Sequence, residues 1–148
     1  MVLTERLGRT RKQQFRKLAQ LVVLSYIVGF LVYIILPLKT TSIEALTQFF
    51  MVAATLNSTF LVTIAVIFST LFKEVPGRER VRWIRFFSVA IELLFAGVVF
   101  AALILLAFVP SFPDTTIIVS VAVVFILGSW FFGLLVVLYE IRQLVPVD

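Results

Sequence analysis

The sequence contains no cysteine and no histidine. Without cysteine, the chain forms no disulfide and has no thiol for redox or nucleophilic chemistry. Without histidine, it lacks the commonest ligand of zinc, copper and haem, and it has no imidazole base for a catalytic triad. We therefore predict no metal site, no cofactor and no catalytic residues, and we interpret the protein as a non-enzyme.

Charged residues are scarce as well. They make up 14% of the 148 residues, against 61% hydrophobic residues, and the mean hydropathy is +1.13. Soluble domains carry about a quarter charged residues. This balance predicts an all-α integral membrane protein with a single membrane domain over residues 1–148. The net charge of +5 comes from basic residues near helix ends, as in membrane proteins, so we expect no nucleic-acid partner.

Four apolar stretches are long enough to cross a bilayer, which takes about 20 residues. The predicted helices cover residues 18–36, 44–72, 80–109 and 115–144. Thr41, followed three residues later by Glu44, forms a capping-box pattern at the start of the second helix. Because the outer connections are short, we expect consecutive helices to be neighbours in an antiparallel four-helix bundle.

Basic residues lie almost entirely on one side of this arrangement. Twelve of the thirteen occur in residues 1–17, between Lys73 and Arg85, or at Arg142, and only Lys39 lies on the other side. Cytoplasmic loops of membrane proteins carry such an excess. We therefore predict a plasma-membrane protein with both termini and the connector 73–79 in the cytoplasm, and with Trp83 at the inner interface.

The basic start of the chain, residues 1–17, predicts a short amphipathic helix on the membrane surface, with its cations against anionic lipid headgroups. A partly disordered tail that only sets the topology is the alternative. Cations are expected to face lipid or a partner at Arg9, Arg11, Lys12, Arg16, Arg78, Arg80, Arg82 and Arg85. The last four also fit a solvated ion-pair network with Glu74 and Glu79, which Glu140 and Arg142 near the C-terminus would join.

Glu92 is the main functional candidate inside the membrane. It follows Arg85 by seven residues, about two turns, and is therefore expected about 10 Å into the membrane. A carboxylate in hydrocarbon normally faces the bundle interior or a water-filled space. It would serve there as a proton or cation site. The structural alternative is a carboxyl group hydrogen-bonded to Tyr26 or Ser25, or paired with an arginine near the interface.

Asn57 lies deeper in the second helix, level with Tyr33 and Ser129. Such an asparagine often joins helices by hydrogen bonding, although it would also suit a polar path. The opposite face of the same helix carries hydroxyl groups, which makes this helix the one expected to line any water path. The intramembrane polar candidates are Glu92, Asn57, Tyr26, Tyr33 and Ser129.

Three functions remain open at this point. The sequence favours a non-catalytic membrane subunit or scaffold, which packs through its helices against other membrane subunits or copies of itself. The second possibility is an oligomeric ion-conducting pore or small transporter that uses Glu92 and the polar second helix. The third is a small enzyme for a lipophilic substrate, which no motif supports.

Overall fold

The computed structural model describes the backbone of residues 2–36, 41–77 and 79–144, and the side chains of these residues from Arg11 onward. Helices dominate, and the described residues form no strand. The four long helices are α1 (Val2–Ile35), α2 (Ile43–Leu71), α3 (Arg80–Ala107) and α4 (Thr116–Leu144). Short 3-10 helices at Phe72–Glu74 and Val109–Ser111 follow α2 and α3. All four long helices are long and apolar enough to cross a membrane.

The predicted bounds of the last three helices agree with the structure to within two residues. The first helix differs, because α1 runs without a break from Val2 to Ile35. The prediction of a separate interfacial helix in residues 1–17 is therefore wrong for the backbone. No proline and no turn sequence lies between this basic segment and the apolar stretch, so the helix continues through both.

Local sequence sets the helix ends. Ser42, rather than the predicted Thr41, is the N-cap of α2, and its hydroxyl accepts a hydrogen bond from the Ala45 amide at 3.2 Å. At the far end of α2, Pro76 and Gly77 turn the chain toward α3. Between α3 and α4, the Thr115 hydroxyl donates to the Phe108 carbonyl at 2.6 Å and ties the two ends of that loop together.

Helix α4 lies at the centre of the structure. Half of its apolar stretch is buried within the protein (50%), against 17% for α1. It packs against α1 on one side and α3 on the other, while α2 packs mainly against α3. The expectation that consecutive helices are neighbours therefore holds for α2 with α3 and for α3 with α4. It fails for α1, which contacts α4 extensively and α2 very little.

The hydrophobic core consists of two clusters at different heights. One contains Phe50, Ile104 and Ile126, and the other contains Phe87, Leu94 and Phe132. Trp83 belongs to the second cluster: it is fully buried and stacks on Phe87 with ring centroids 4.9 Å apart. The Trp83 indole thus faces the bundle interior, because its side of the first turn of α3 is covered, while Val81 and Ile84 on the other side are exposed.

Glycines bring α1 and α4 together. A Cβ atom on Gly29 would lie 2.8 Å from the backbone nitrogen of Gly128, and a Cβ atom on Gly128 would lie 2.6 Å from the Tyr26 ring. Gly133 likewise faces Ile64 of α2 and Leu94 of α3. Small residues of this kind let helix backbones approach closely, and they explain why α1 lies against α4 rather than against its chain neighbour.

Replacing Gly29 with alanine should therefore destabilise the protein. Alanine favours a helix by about 1 kcal/mol over glycine, but here its methyl group meets the Gly128 backbone, and overpacking costs about 1–3 kcal/mol. We expect a lower melting temperature in detergent for Gly29→Ala. The control is Gly77→Ala, where a Cβ atom would meet nothing within 4 Å. Equal melting temperatures for the two variants would contradict the close contact.

Candidate functional site: polar groups inside and on the bundle

A charged cluster joins the start of α3 to the end of α4. One Arg82 guanidinium nitrogen lies 3.1 Å from a Glu140 carboxylate oxygen and 3.2 Å from a Glu79 oxygen. A second Arg82 nitrogen donates to the other Glu140 oxygen at 3.3 Å. Glu140 is 0% exposed, and the Arg82 side chain is 14% exposed. Two charges so deeply placed depend on each other, because removing one leaves the other buried without a counter-ion.

The sequence predicted that Glu140 joins a solvated ion-pair network. The structure confirms the pairing with an arginine but not the exposure to solvent. Glu140 does pair with a connector arginine, yet it is buried. The reason is helical spacing: Ser129, Gly133 and Val136 are buried on α4, and Glu140 continues that face. Its position in this stripe is the sequence signal that would have identified it.

A polar layer separates the two core clusters. Asn57 of α2 is fully buried, and its amide nitrogen lies where a Cβ atom on Gly97 of α3 would be. The Ser129 hydroxyl of α4 lies 3.2 Å from the same point, but it donates to the Ile126 carbonyl of its own helix at 2.7 Å. Three helices thus meet at Gly97. Asn57 and Ser129 are brought together there, as their predicted depth required.

Asn57 does not make the expected interhelical hydrogen bond. Neither polar atom of its carboxamide has a partner among the described residues. Leaving such a group unpaired costs about 1–3 kcal/mol, so the contribution of Asn57 to packing comes from its contact with Gly97. The indole nitrogen of Trp130, which packs against both core clusters, is also buried and unpaired within the described part of the chain.

The tyrosines of α1 both face α4. Tyr26 covers Gly128 and contacts the Phe125 ring at 5.9 Å. The Tyr33 hydroxyl donates to Ser120 at 2.9 Å and not to Asn57, whose carboxamide has no hydrogen-bond partner among the described residues. Ser25 is fully buried and donates to the Leu21 carbonyl of its own helix.

Glu92 lies on the outer surface of α3, not in the bundle interior. Ala90 and Leu94 are buried, and a residue midway between them points about 200° away from Ala90 around the helix. Glu92 is accordingly exposed, and its carboxylate accepts a hydrogen bond from the Ser88 hydroxyl at 3.1 Å. The expected contacts of Glu92 with Tyr26, Ser25 or the arginines are absent among the described residues.

The hydroxyl groups of α2 also face outward. Thr55, Ser58, Thr59 and Ser69 are exposed, and each donates to a carbonyl of its own helix. The opposite face of α2, including Phe50, Ala53 and Ile64, is buried. The polar side of α2 therefore lies outside the bundle and lines no path through a single chain.

The basic residues occupy different environments. Arg11, Lys12 and Arg85 line one cleft with Phe15, and Arg16 lines a second cavity along α1. Arg80 donates to the Val75 carbonyl at 3.2 Å and lies over the Phe72 ring. The predicted lipid-facing residues Arg9 and Arg78 lie outside the described side chains.

Comparisons with known proteins add no function to this geometry. No protein-family model, no curated protein and no solved structure matches the chain. Among the described residues, no three acidic side chains lie close enough together to hold a metal ion.

Replacing Arg82 with leucine should destabilise the protein strongly, because it leaves Glu140 buried without a cation. Breaking a buried ion pair costs about 3–5 kcal/mol. The double variant Arg82→Leu/Glu140→Leu should lose less than Arg82→Leu alone, since it removes both charges. Unfolding in a titration with a denaturing detergent measures both. Glu74→Gln, at an exposed acid, is the control. A single variant no less stable than this control would contradict the coupling.

Proposed function

We propose that this protein is an integral membrane subunit that packs through its helices in a larger membrane assembly. In this proposal the four helices form an antiparallel transmembrane bundle in the plasma membrane. Contacts between α1 and α4 support it, because Lys17 donates to Tyr139 near the end of α4 and Tyr33 donates to Ser120 near its start. The excess of basic residues at one end of the helices supports an orientation with both termini and the connector 73–79 in the cytoplasm.

The observation that carries the proposal is the outward position of Glu92. In hydrocarbon, a charged or strongly polar side chain on a lipid-facing surface is unfavourable by about 2.5–3.5 kcal/mol at the helix centre. The Ser88 hydroxyl supplies one hydrogen bond to the carboxylate, and no other side chain of the described residues donates to it. A neighbouring transmembrane helix with polar side chains would supply further donors.

The outer face of α3 suits a helix partner. Exposed residues recur at spacings of three, four and seven along it, as in a helix-packing seam. They are Val81, Ile84, Ser88, Glu92, Phe95, Val99 and Leu106. The partner in this proposal is another membrane subunit or a second copy of the chain. The role proposed for the chain is structural rather than catalytic.

A second candidate function is an oligomeric pore or small transporter. Glu92 and the hydroxyl groups of α2 face away from the core of the chain. A polar path that uses them would therefore have to lie outside the single chain. Such a path would run between copies of the protein. A ring of identical chains, with ion flux that falls in Glu92→Gln, would favour this candidate over the structural role.

Removing the Glu92 carboxyl group should weaken assembly. We expect Glu92→Leu to associate about three- to twentyfold less tightly with its partner, because interhelical hydrogen bonds in membranes contribute about 0.6–1.7 kcal/mol. Native mass spectrometry of gently extracted protein measures the assembled fraction at several dilutions.

The control is Glu44→Leu, which removes an exposed carboxylate from the first turn of α2 instead. Melting temperatures of both variants separate weakened assembly from misfolding. Two results would contradict the proposal: a wild-type protein that is a bare monomer after gentle extraction, or a Glu92→Leu variant that assembles like the wild type.

A further inference from the structure

A basic cleft lies between the start of α3 and the basic part of α1. It has a volume of about 390 Å³ and is lined by Arg11, Lys12, Phe15 and Arg85. The three cations come from two helices that are more than seventy residues apart in the chain. Folding, and not local sequence alone, therefore brings Arg85 to the other two.

The charges of this cleft are not neutralised by acidic residues of the described part of the chain. Both ion pairs formed by the described residues belong to Arg82, and no carboxylate lines the cleft. Arg80 is engaged with the Val75 carbonyl and the Phe72 ring. Three neighbouring cations repel one another, so an anion in the cleft would remove an unfavourable interaction as well as add favourable ones.

The lining also contains an exposed aromatic ring. Phe15 is 68% exposed, and it lies beside the three cations. Guanidinium groups bind phosphate oxygens through two parallel hydrogen bonds, and lysine binds them as a point charge. A ligand that matches both features has a phosphate group attached to an apolar body.

We propose that this cleft binds the phosphate headgroup of an anionic phospholipid from the cytoplasmic leaflet. The proposal rests on the membrane insertion and orientation proposed above, but not on assembly through Glu92. Arg11, Lys12 and Arg85 hold the phosphate, and Phe15 contacts the start of the acyl chains. Basic pockets between membrane helices on this side of a bilayer suit such headgroups.

The test uses the whole chain reconstituted in vesicles of phosphatidylcholine, with and without phosphatidylglycerol. Native mass spectrometry then counts the phosphatidylglycerol molecules retained by the protein. Each basic residue near an anionic surface contributes about 1 kcal/mol, so Arg85→Gln should lower retention about fivefold. Arg85→Lys should keep most of it, and Lys12→Gln/Arg85→Gln should reduce retention to the level of phosphatidylcholine.

The matched control is Arg16→Gln, which removes an exposed cation of α1 that lines a different cavity. Equal losses in Arg16→Gln and Arg85→Gln would overturn the proposal, because they would indicate diffuse attraction to an anionic surface. Displacement of the lipid by inorganic phosphate would also overturn it, in favour of a soluble anion. Flotation of each variant with the vesicles verifies insertion, so a failure of the membrane assignment is separated from a failure of the cleft.

Discussion

The close approach of α4 to its neighbours is the contact on which the rest of the structure depends. Gly128 admits Gly29 and Tyr26 of α1, and Gly133 admits side chains of α2 and α3. Helices in a membrane gain little from the hydrophobic effect against one another, so tight packing carries much of their association. The same approach brings Arg82 of α3 within 3.1 Å of Glu140 of α4, so that an ion pair also joins these two helices.

Polar groups then fall into two classes. Inside the bundle, the Arg82–Glu140 pair is satisfied by the protein itself, whereas Asn57 is held in place by packing against Gly97. On the outside, α2 satisfies its hydroxyl groups within its own helix, and Glu92 has one local partner, Ser88. Glu92 is thus an exposed acidic group near the middle of α3 whose carboxylate accepts a hydrogen bond only from Ser88 among the described residues. The basic cleft presents the opposite charge near the end of the bundle.

Sequence patterns were sufficient for the bounds of α2, α3 and α4, because apolar length and the turn at Pro76 determine these helices locally. The burial of Glu140 also follows from a sequence pattern, its helical spacing from Gly133 and Val136. Sequence patterns were insufficient for Glu92 and for the position of α1. The direction in which Glu92 points depends on which side of α3 is covered, and the position of α1 depends on a contact with Gly128, about a hundred residues away. Both depend on distant parts of the chain, which composition and periodicity do not encode.

The central claim is that another membrane chain covers the outer face of α3. Oxygen accessibility of nitroxide labels in the native membrane tests it most directly, and the absence of cysteine allows single labels without other changes. Labels at Phe95 and Val99 should collide with oxygen less often than labels at Ile27 and Leu31 on the exposed side of α1. Equal collision rates at the four positions would mean that lipid surrounds α3, and would contradict the claim.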